Sequence, residues 1–282
     1  MASTLFTNAR IVDGTQPERA APVSVLVEGG VVREVAKTVS AGKATTIDLG
    51  GRTLMPGLID AHVHVVAGVA DLGLNSRLPD SLVTARAFVI MREMLLRGFT
   101  TVRDVGGADF GLKQATEEGH FPTPRLIISG KALSQTGGHA DFRGRYDDRA
   151  SVSDRHRLGA LGRICDGEGE VRRAAREEMK GGADFIKIMA NGGCASPTDP
   201  IHFLGFSVSE LEAIVEEARM AGTYVSAHVY TKEAIRRCVE AGVHSLEHCN
   251  LIDAETAKLA AAKGAVAVPT LVTYDKLVSD GP

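Results

Sequence analysis

The stretch Met55-Pro56-Gly57-Leu58-Ile59-Asp60-Ala61-His62-Val63-His64 is an apolar run that ends in two histidines one residue apart. Side chains alternate along a β-strand, so His62 and His64 point the same way and can grip one metal ion together. Taken alone, such a pair is more often two polar residues on one strand face. Three later segments change its meaning. In Asp184-Phe185-Ile186-Lys187-Ile188-Met189-Ala190-Asn191-Gly192-Gly193 a lysine sits within an apolar strand pattern ahead of a Gly-rich turn. Fully buried lysines are rare unless paired or chemically changed. Tyr224-Val225-Ser226-Ala227-His228-Val229-Tyr230 and His244-Ser245-Leu246-Glu247-His248-Cys249-Asn250 each put a histidine late in a β-like run, just before a helical stretch.

From Thr53 onward strand and helix patterns alternate, which predicts a parallel sheet with crossover helices. Strands are predicted over 54–65, 99–105, 125–129, 185–189, 224–229, 245–248 and 266–271, and helices over 81–97, 170–180, 209–221, 232–241 and 254–263. Ser209 ahead of Glu212 fits a capping box, and Gly98, Gly181, Gly222, Gly242 and Gly264 fall where helices should stop. Seven strand-helix beats are one short of eight, so the expected fold class is α/β, a TIM-type (β/α)8 barrel incomplete after strand seven. Ahead of it, 5–12, 23–28, 31–35 and 45–49 read as short strands, with Glu28-Gly29-Gly30 as a hairpin signal. The expected division is 1–52, strands that cannot close a core by themselves, and 53–282, the barrel. An open barrel exposes strand edges that another segment should cover.

At 282 residues and 44% hydrophobic content the chain can bury a large core, a size better suited to one α/β barrel than to two unrelated domains. Net charge is −3 and no basic run is interleaved with aromatics, so nucleic acid is not an expected partner. The start, Met1 to Arg10, lacks the charged and apolar blocks of a signal peptide, and no apolar stretch reaches membrane-spanning length. No membrane partner is expected, and the cytoplasm is the default location. Cys165, Cys194, Cys238 and Cys249 lack C-x-x-C spacing, which argues for reduced, mostly structural thiols.

The ordered set H-x-H, Lys187, His228 and His248 resembles the amidohydrolase superfamily, in which such residues come from barrel strands one, four, five and six. The N-terminal strands likewise resemble part of the small β-sandwich that flanks the barrel in many members. The resemblance implies two divalent metal ions, zinc being the expected metal. His62 and His64 would bind the more buried ion, Lys187 carbamylated by CO2 would bridge, and His228 and His248 would bind the more exposed one. Two such ions, about 3.5–4 Å apart, lower the pKa of a bridging water and polarise a scissile carbonyl. A lysine turned into an anion makes sense only beside metals, whereas an unmodified one would snorkel to solvent. Imidazolonepropionase and its relatives lack this lysine and use one metal, so Lys187 favours the binuclear, dipeptidase-like branch.

The segment Ser134-Gln135-Thr136-Gly137-Gly138-His139-Ala140-Asp141 resembles the G-G-H-G-D loop of prolidase-like members, with Ala140 in place of a glycine. Glycines let such a loop approach a ligand, and His139 can donate a hydrogen bond to a carbonyl oxygen as charge develops there; a solvated turn histidine is the plainer reading. Tyr230 projects from the same strand face as His228, and the resemblance implies contact with a substrate α-carboxylate, against simple packing. Arg143 and Arg145 have the chemistry to fork onto a carboxylate, although arginines in such loops are usually solvated. Asp104 is placed to position loops or imidazoles, and His120, His156, His202 and His244 read as structural.

The expected activity is metal-dependent hydrolysis of an amide bond next to a free carboxylate, in a dipeptide, an Xaa-Pro or an N-acyl amino acid. Two alternatives stand beside it: a one-metal cyclic-amide or imidazolone-type hydrolase, and a catalytically silent metal-binding fragment. The second arises because the family's eighth strand carries an aspartate that serves as general base, while this sequence ends at Ser279-Asp280-Gly281-Pro282. Asp275 and Asp280 are the nearest acids to stand in for it. The expected partners are the small-molecule or dipeptide substrate and either further copies of the chain, as a homo-oligomer, or a complementing C-terminal segment.

Overall fold

A computed structural model describes residues 3–14, 22–147 and 156–280, with residue 280 described by its backbone alone. The side chain of Asp280, and Gly281 and Pro282 entirely, lie outside the described residues. The chain divides into two compact units, Met1–Leu58 and Ile59–Pro282.

In the first unit β1 (Ser3–Ile11), β2 (Val23–Glu28), β3 (Val31–Ala36) and β4 (Thr45–Asp48) form a sheet in the order β3-β2-β1-β4, and β5 (Thr53–Leu54) also pairs with β1. Gly29 and Gly30, at φ 57° and 79°, turn the β2–β3 hairpin with the two left-handed residues that match the twist of its strands. Its buried apolar cluster is Leu5, Leu26 and Val39, while Val31, Val32 and Val35 on β3 are exposed.

The second unit alternates strands and helices. A three-stranded sheet runs β6 (Leu58–Val63), β7 (Phe99–Asp104), β8 (Arg125–Ile128). A six-stranded sheet is built from β9 (Ala132–Ser134), β10 (Gly162–Ile164), β11 (Ile186–Met189), β12 (Val225–Thr231), β13 (Ser245–Leu251) and β14 (Val266–Val268), in the order β10-β9-β11-β12-β13-β14, with every pairing parallel. The helices are α1 (Leu72–Asn75), α2 (Asp80–Leu96), α3 (Phe110–Glu117), α4 (Gly167–Lys180), α5 (Val208–Met220), α6 (Lys232–Ala241), α7 (Ala254–Ala262) and α8 (Leu271–Asp280). Among the described residues the strands form these two sheets rather than one closed ring. No helix among them is long and apolar enough to cross a membrane.

Strand alternation sorts the side chains into two layers. Ile186 and Ile188 of β11, Val225, Ala227 and Val229 of β12 and Leu246 of β13 pack into the helix-side core, with Leu211 and Ile214 of α5 and Ile235 and Val239 of α6. Each fully buried side chain of this kind stabilises the fold by about 1.5–3 kcal/mol. The residues between them, Lys187, Ser226, His228, Ser245 and Glu247, are left for the interior face. That division places the chemistry.

Several element boundaries differ from expectation. The predicted strand over 54–65 is broken into β5 and β6 at Pro56-Gly57, where proline removes a ladder donor. The predicted strand over 266–271 stops at Val268 because Pro269 follows, and Leu271 already begins α8. The capping box of α5 is Ser207 with Glu210, not Ser209 with Glu212. The sequence carries two overlapping S-x-x-E patterns, and the structure uses the one directly ahead of Val208. β9 and β10 have three residues each, too short for a period to show.

Candidate active site

A cavity of about 350 Å3 is lined by His62, His64, His139, Lys187, His228, Tyr230 and His248. Each arrives by its own local logic. His62 is the penultimate residue of β6 and His64 follows it by two, so both face inward while Val63 between them packs into the helix-side core. Lys187 lies in the middle of β11 and is 1% exposed. His228 and Tyr230 alternate on β12, with their rings 4.6 Å apart.

His248 follows inward-facing Glu247 directly, so a regular strand would turn it outward. Left-handed backbone at His248 (φ 76°) and Cys249 (φ 57°) breaks the alternation and brings His248 to the cavity. For non-glycine residues that conformation costs about 1–3 kcal/mol each.

The imidazoles form a chain of ring contacts, 5.4 Å from His62 to His64, 4.8 Å from His62 to His248 and 4.6 Å from His228 to His248. Three are fixed through one nitrogen to an acceptor. His62 Nδ1 donates to Glu247 Oε2 at 2.8 Å, His64 Nδ1 to the Gly106 carbonyl at 2.9 Å and His228 Nε2 to the Gly192 carbonyl at 3.2 Å. That leaves lone pairs on Nε2 of His62 and His64 and on Nδ1 of His228. His248 Nδ1 is 2.7 Å from Thr270 Oγ1.

Burial, with the neighbouring Lys187 charge adding to it, keeps all four imidazoles neutral: His64 is pushed down to about 3 and His248 to about 2, and His62 and His228 also fall below their ordinary value. Burial likewise draws the Lys187 ammonium down to about 8, against the pull of Glu247. Among the described residues no hydrogen bond or ion pair holds that amine.

No three His, Cys, Asp or Glu side chains among the described residues stand at metal-binding spacing. The donor chemistry nevertheless fits divalent metal: neutral imidazoles with lone pairs set by their outer partners, around a buried amine that lacks only an anionic form.

His139, in the loop after β9, stacks on His228 with ring centroids 4.2 Å apart and interplanar angle 25°. Its Nδ1 lies 2.7 Å from Ser196 Oγ and 3.4 Å from Asp199 Oδ2. Gly193 makes room for the ring, because a Cβ there would fall 1.7 Å from His139 Cε1. Tyr230 is 5.9 Å from the Tyr274 ring of α8, and burial raises its phenol pKa.

Arg143 does not line the cavity; its guanidinium forks onto Asp141, with Nε 2.7 Å from Oδ1 and Nη2 2.6 Å from Oδ2. Asp275 is exposed on α8 and does not line the cavity. Asp104 accepts from the amides of Val65, Gly106 and Ala108 and so ties down the loop whose carbonyl orients His64. Cys165, Cys238 and Cys249 are buried, whereas Cys194 is exposed and lines the cavity.

Sequence reasoning passed over Glu247 and Arg103. Glu247 is completely buried, and Arg103 Nη2 donates to its Oε1 at 2.5 Å. The available signal was a carboxylate inside an apolar strand, the same anomaly that drew attention to Lys187.

A model of the amidohydrolase family matches residues 53–280, and the chain belongs to that family. A solved amidohydrolase is 54% identical with a TM-score of 0.96, covering 99% of this chain and 69% of that one. A solved prolidase in complex with N-methylphosphonate-L-proline is 48% identical with a TM-score of 0.97 and the same coverage, 99% and 69%. Ochratoxinase from Aspergillus niger is 38% identical over 233 residues, 77% of this chain and 47% of that protein. The chain thus spans about half the length of the ochratoxinases it matches. Its fold is the family's α/β, TIM-type architecture, seen here as two parallel-stranded sheets with crossover helices.

Proposed function

We propose that this protein hydrolyses an amide bond next to a free carboxylate, with Xaa-Pro dipeptides and N-acyl amino acids as its substrate class. The observation that carries this reading is the convergence of His62, His64, Lys187, His228 and His248 on one cavity. Similarity to the prolidase bound to a proline phosphonate and to ochratoxinase supports the amide-hydrolase class.

His62 and His64 would hold one divalent ion, His228 and His248 a second, and Lys187, carbamylated on Nζ, would bridge them; zinc is the ion we favour. Metal there would supply a water of lowered pKa and polarise the scissile carbonyl. The remaining work belongs to the chain's own side chains. His139, braced by Ser196 and by its stack on His228, is placed to donate a hydrogen bond to the carbonyl oxygen as it becomes an oxyanion. The Tyr230 hydroxyl is the donor we assign to the substrate carboxylate. Leu72, Phe142, Leu161 and Met189 give the cavity an apolar wall for the adjoining side chain. Lys187, buried among the imidazoles, disfavours the one-metal cyclic-amide alternative.

The test is substrate profiling of the zinc-supplemented protein on three panels: Xaa-Pro dipeptides, N-acyl amino acids and cyclic amides. Turnover of either of the first two, lost when the free carboxylate is amidated, is expected. Turnover restricted to cyclic amides overturns the reading.

A further inference from the structure

The Glu247 carboxylate divides its two oxygens between two tasks. Oε1 accepts from Arg103 Nη2 at 2.5 Å, Ser226 Oγ at 2.6 Å and Ser245 Oγ at 2.7 Å. Oε2 accepts from His62 Nδ1 at 2.8 Å. The donors come from β7, β12, β13 and β6, so one buried group draws on both sheets of the unit. Three donors on a single oxygen hold the carboxylate still, and the second oxygen is presented to the imidazole. A guanidinium and two hydroxyls all donating to Oε1 are the partners of an ionised carboxylate.

A carboxylate can only accept, so the hydrogen of neutral His62 must sit on Nδ1 and the lone pair on Nε2. The tautomer of His62 is therefore fixed from below. The charge matters as well: the Arg103 guanidinium, 13% exposed, also donates to the Ala61 carbonyl and lies 5.1 Å over the Phe185 ring. With Glu247 removed, that cation would stand uncompensated beneath a site meant for dications. Glu247 itself does not line the cavity.

We propose that Glu247 is the positioning residue of the metal site, fixing His62 with its lone pair on Nε2 and offsetting the Arg103 charge while contacting neither metal nor substrate. This rests on the proposed metal-dependent function, and the experiment separates the two. Two readouts are taken on wild type, Glu247→Gln and Ser226→Ala: zinc affinity by competition with a chromophoric chelator, and the His62 tautomer by 15N multiple-bond NMR of metal-stripped protein. Glu247→Gln keeps the size and loses the charge, whereas Ser226→Ala removes one donor to Oε1 and leaves the His62 bond.

The expected result is about 10–100-fold weaker zinc binding and a mixed His62 tautomer in Glu247→Gln. Ser226→Ala should keep both close to wild type. Equal losses in the two variants, or an unchanged Glu247→Gln, overturn the positioning role. Should Glu247→Gln not fold, Glu247→Asp takes its place, keeping the charge but withdrawing the acceptor by one methylene, with the same expectation. A wild-type protein that binds no zinc overturns the proposed function instead, and the tautomer measurement still decides for or against Glu247.

Discussion

β12 and β13 are neighbours, parallel and in register from Ser226↔Ser245 to Val229↔His248, yet they deliver their polar residues in opposite ways. β12 follows the rule of alternation: Ser226, His228 and Tyr230 face inward, and Val225, Ala227 and Val229 join the helix-side core. β13 obeys it up to Glu247 and then breaks it, so that two consecutive residues, a carboxylate for the floor and an imidazole for the cavity, serve one site. A regular strand can place a donor at every second position. Placing an outer partner and a cavity donor side by side on one strand requires left-handed backbone, and the strain sits next to the chemistry.

The largest effect expected comes from outside both strands, at the loop that leans on β12. Gly193→Ala pushes a Cβ into the His139 ring and should lower kcat about 10²–10³-fold, as for loss of one oxyanion donor, while zinc content is unchanged. Steady-state kinetics with parallel metal analysis checks it. If kcat survives, His139 is a turn histidine that packs on His228 and does no more.

Glycine scanning tests the comparison itself. Val229→Gly removes a fully buried side chain from regular β12 and should destabilise the protein by about 3 kcal/mol. Cys249→Gly loses a smaller side chain and gains a residue suited to φ 57°, so its cost should stay below about 1.5 kcal/mol. Urea denaturation of the two variants gives both numbers. Equal costs would mean that the kink in β13 carries no strain.

The regular strand was legible in the sequence, and the broken one only in part. H-x-H, the apolar pattern around Lys187 and the alternation of His228 with Tyr230 are period-two signals, and period two is what a sequence displays. His248 was found by its place late in a β-like run, but the backbone turn that brings it inward leaves no compositional mark, since neither His248 nor Cys249 is glycine. Glu247 was hidden for the same reason: beside a histidine, strict alternation assigns the two to opposite faces. Arg143 stands outside the cavity lining and pairs with Asp141, an arrangement set by geometry that residue type does not announce.

Tyr230→Phe sharpens the role given to the regular strand. It should weaken substrates bearing a free carboxylate by about 1.5–3 kcal/mol relative to their amides. Inhibition constants for matched acid and amide analogues measure this, and an equal loss for both assigns the phenol to packing.

A smaller effect is expected on the helix layer ahead of β12, where Arg176 and Arg172 of α4 donate to buried Glu217 of α5 and hold it below its ordinary value of 4.5. A depressed carboxylate stabilises the fold above its unfolded pKa and loses that contribution as pH falls through the folded one. Glu217→Gln should therefore lower Tm by about 2–4 °C at pH 7, and the gap from wild type should close as pH drops below 4.5. A gap that widens in acid would show that the charge is not what these arginines recognise.

In the proposed site, regular and broken strands together build a donor set completed by an anion on Lys187. A crystal structure of the protein grown with zinc and bicarbonate tests it most directly. Anomalous maps should show two zinc ions, bridged by a carboxylate continuous with Lys187 Nζ, with His62 and His64 on one ion and His228 and His248 on the other. Two bound metals beside a bare Lys187 amine would contradict it.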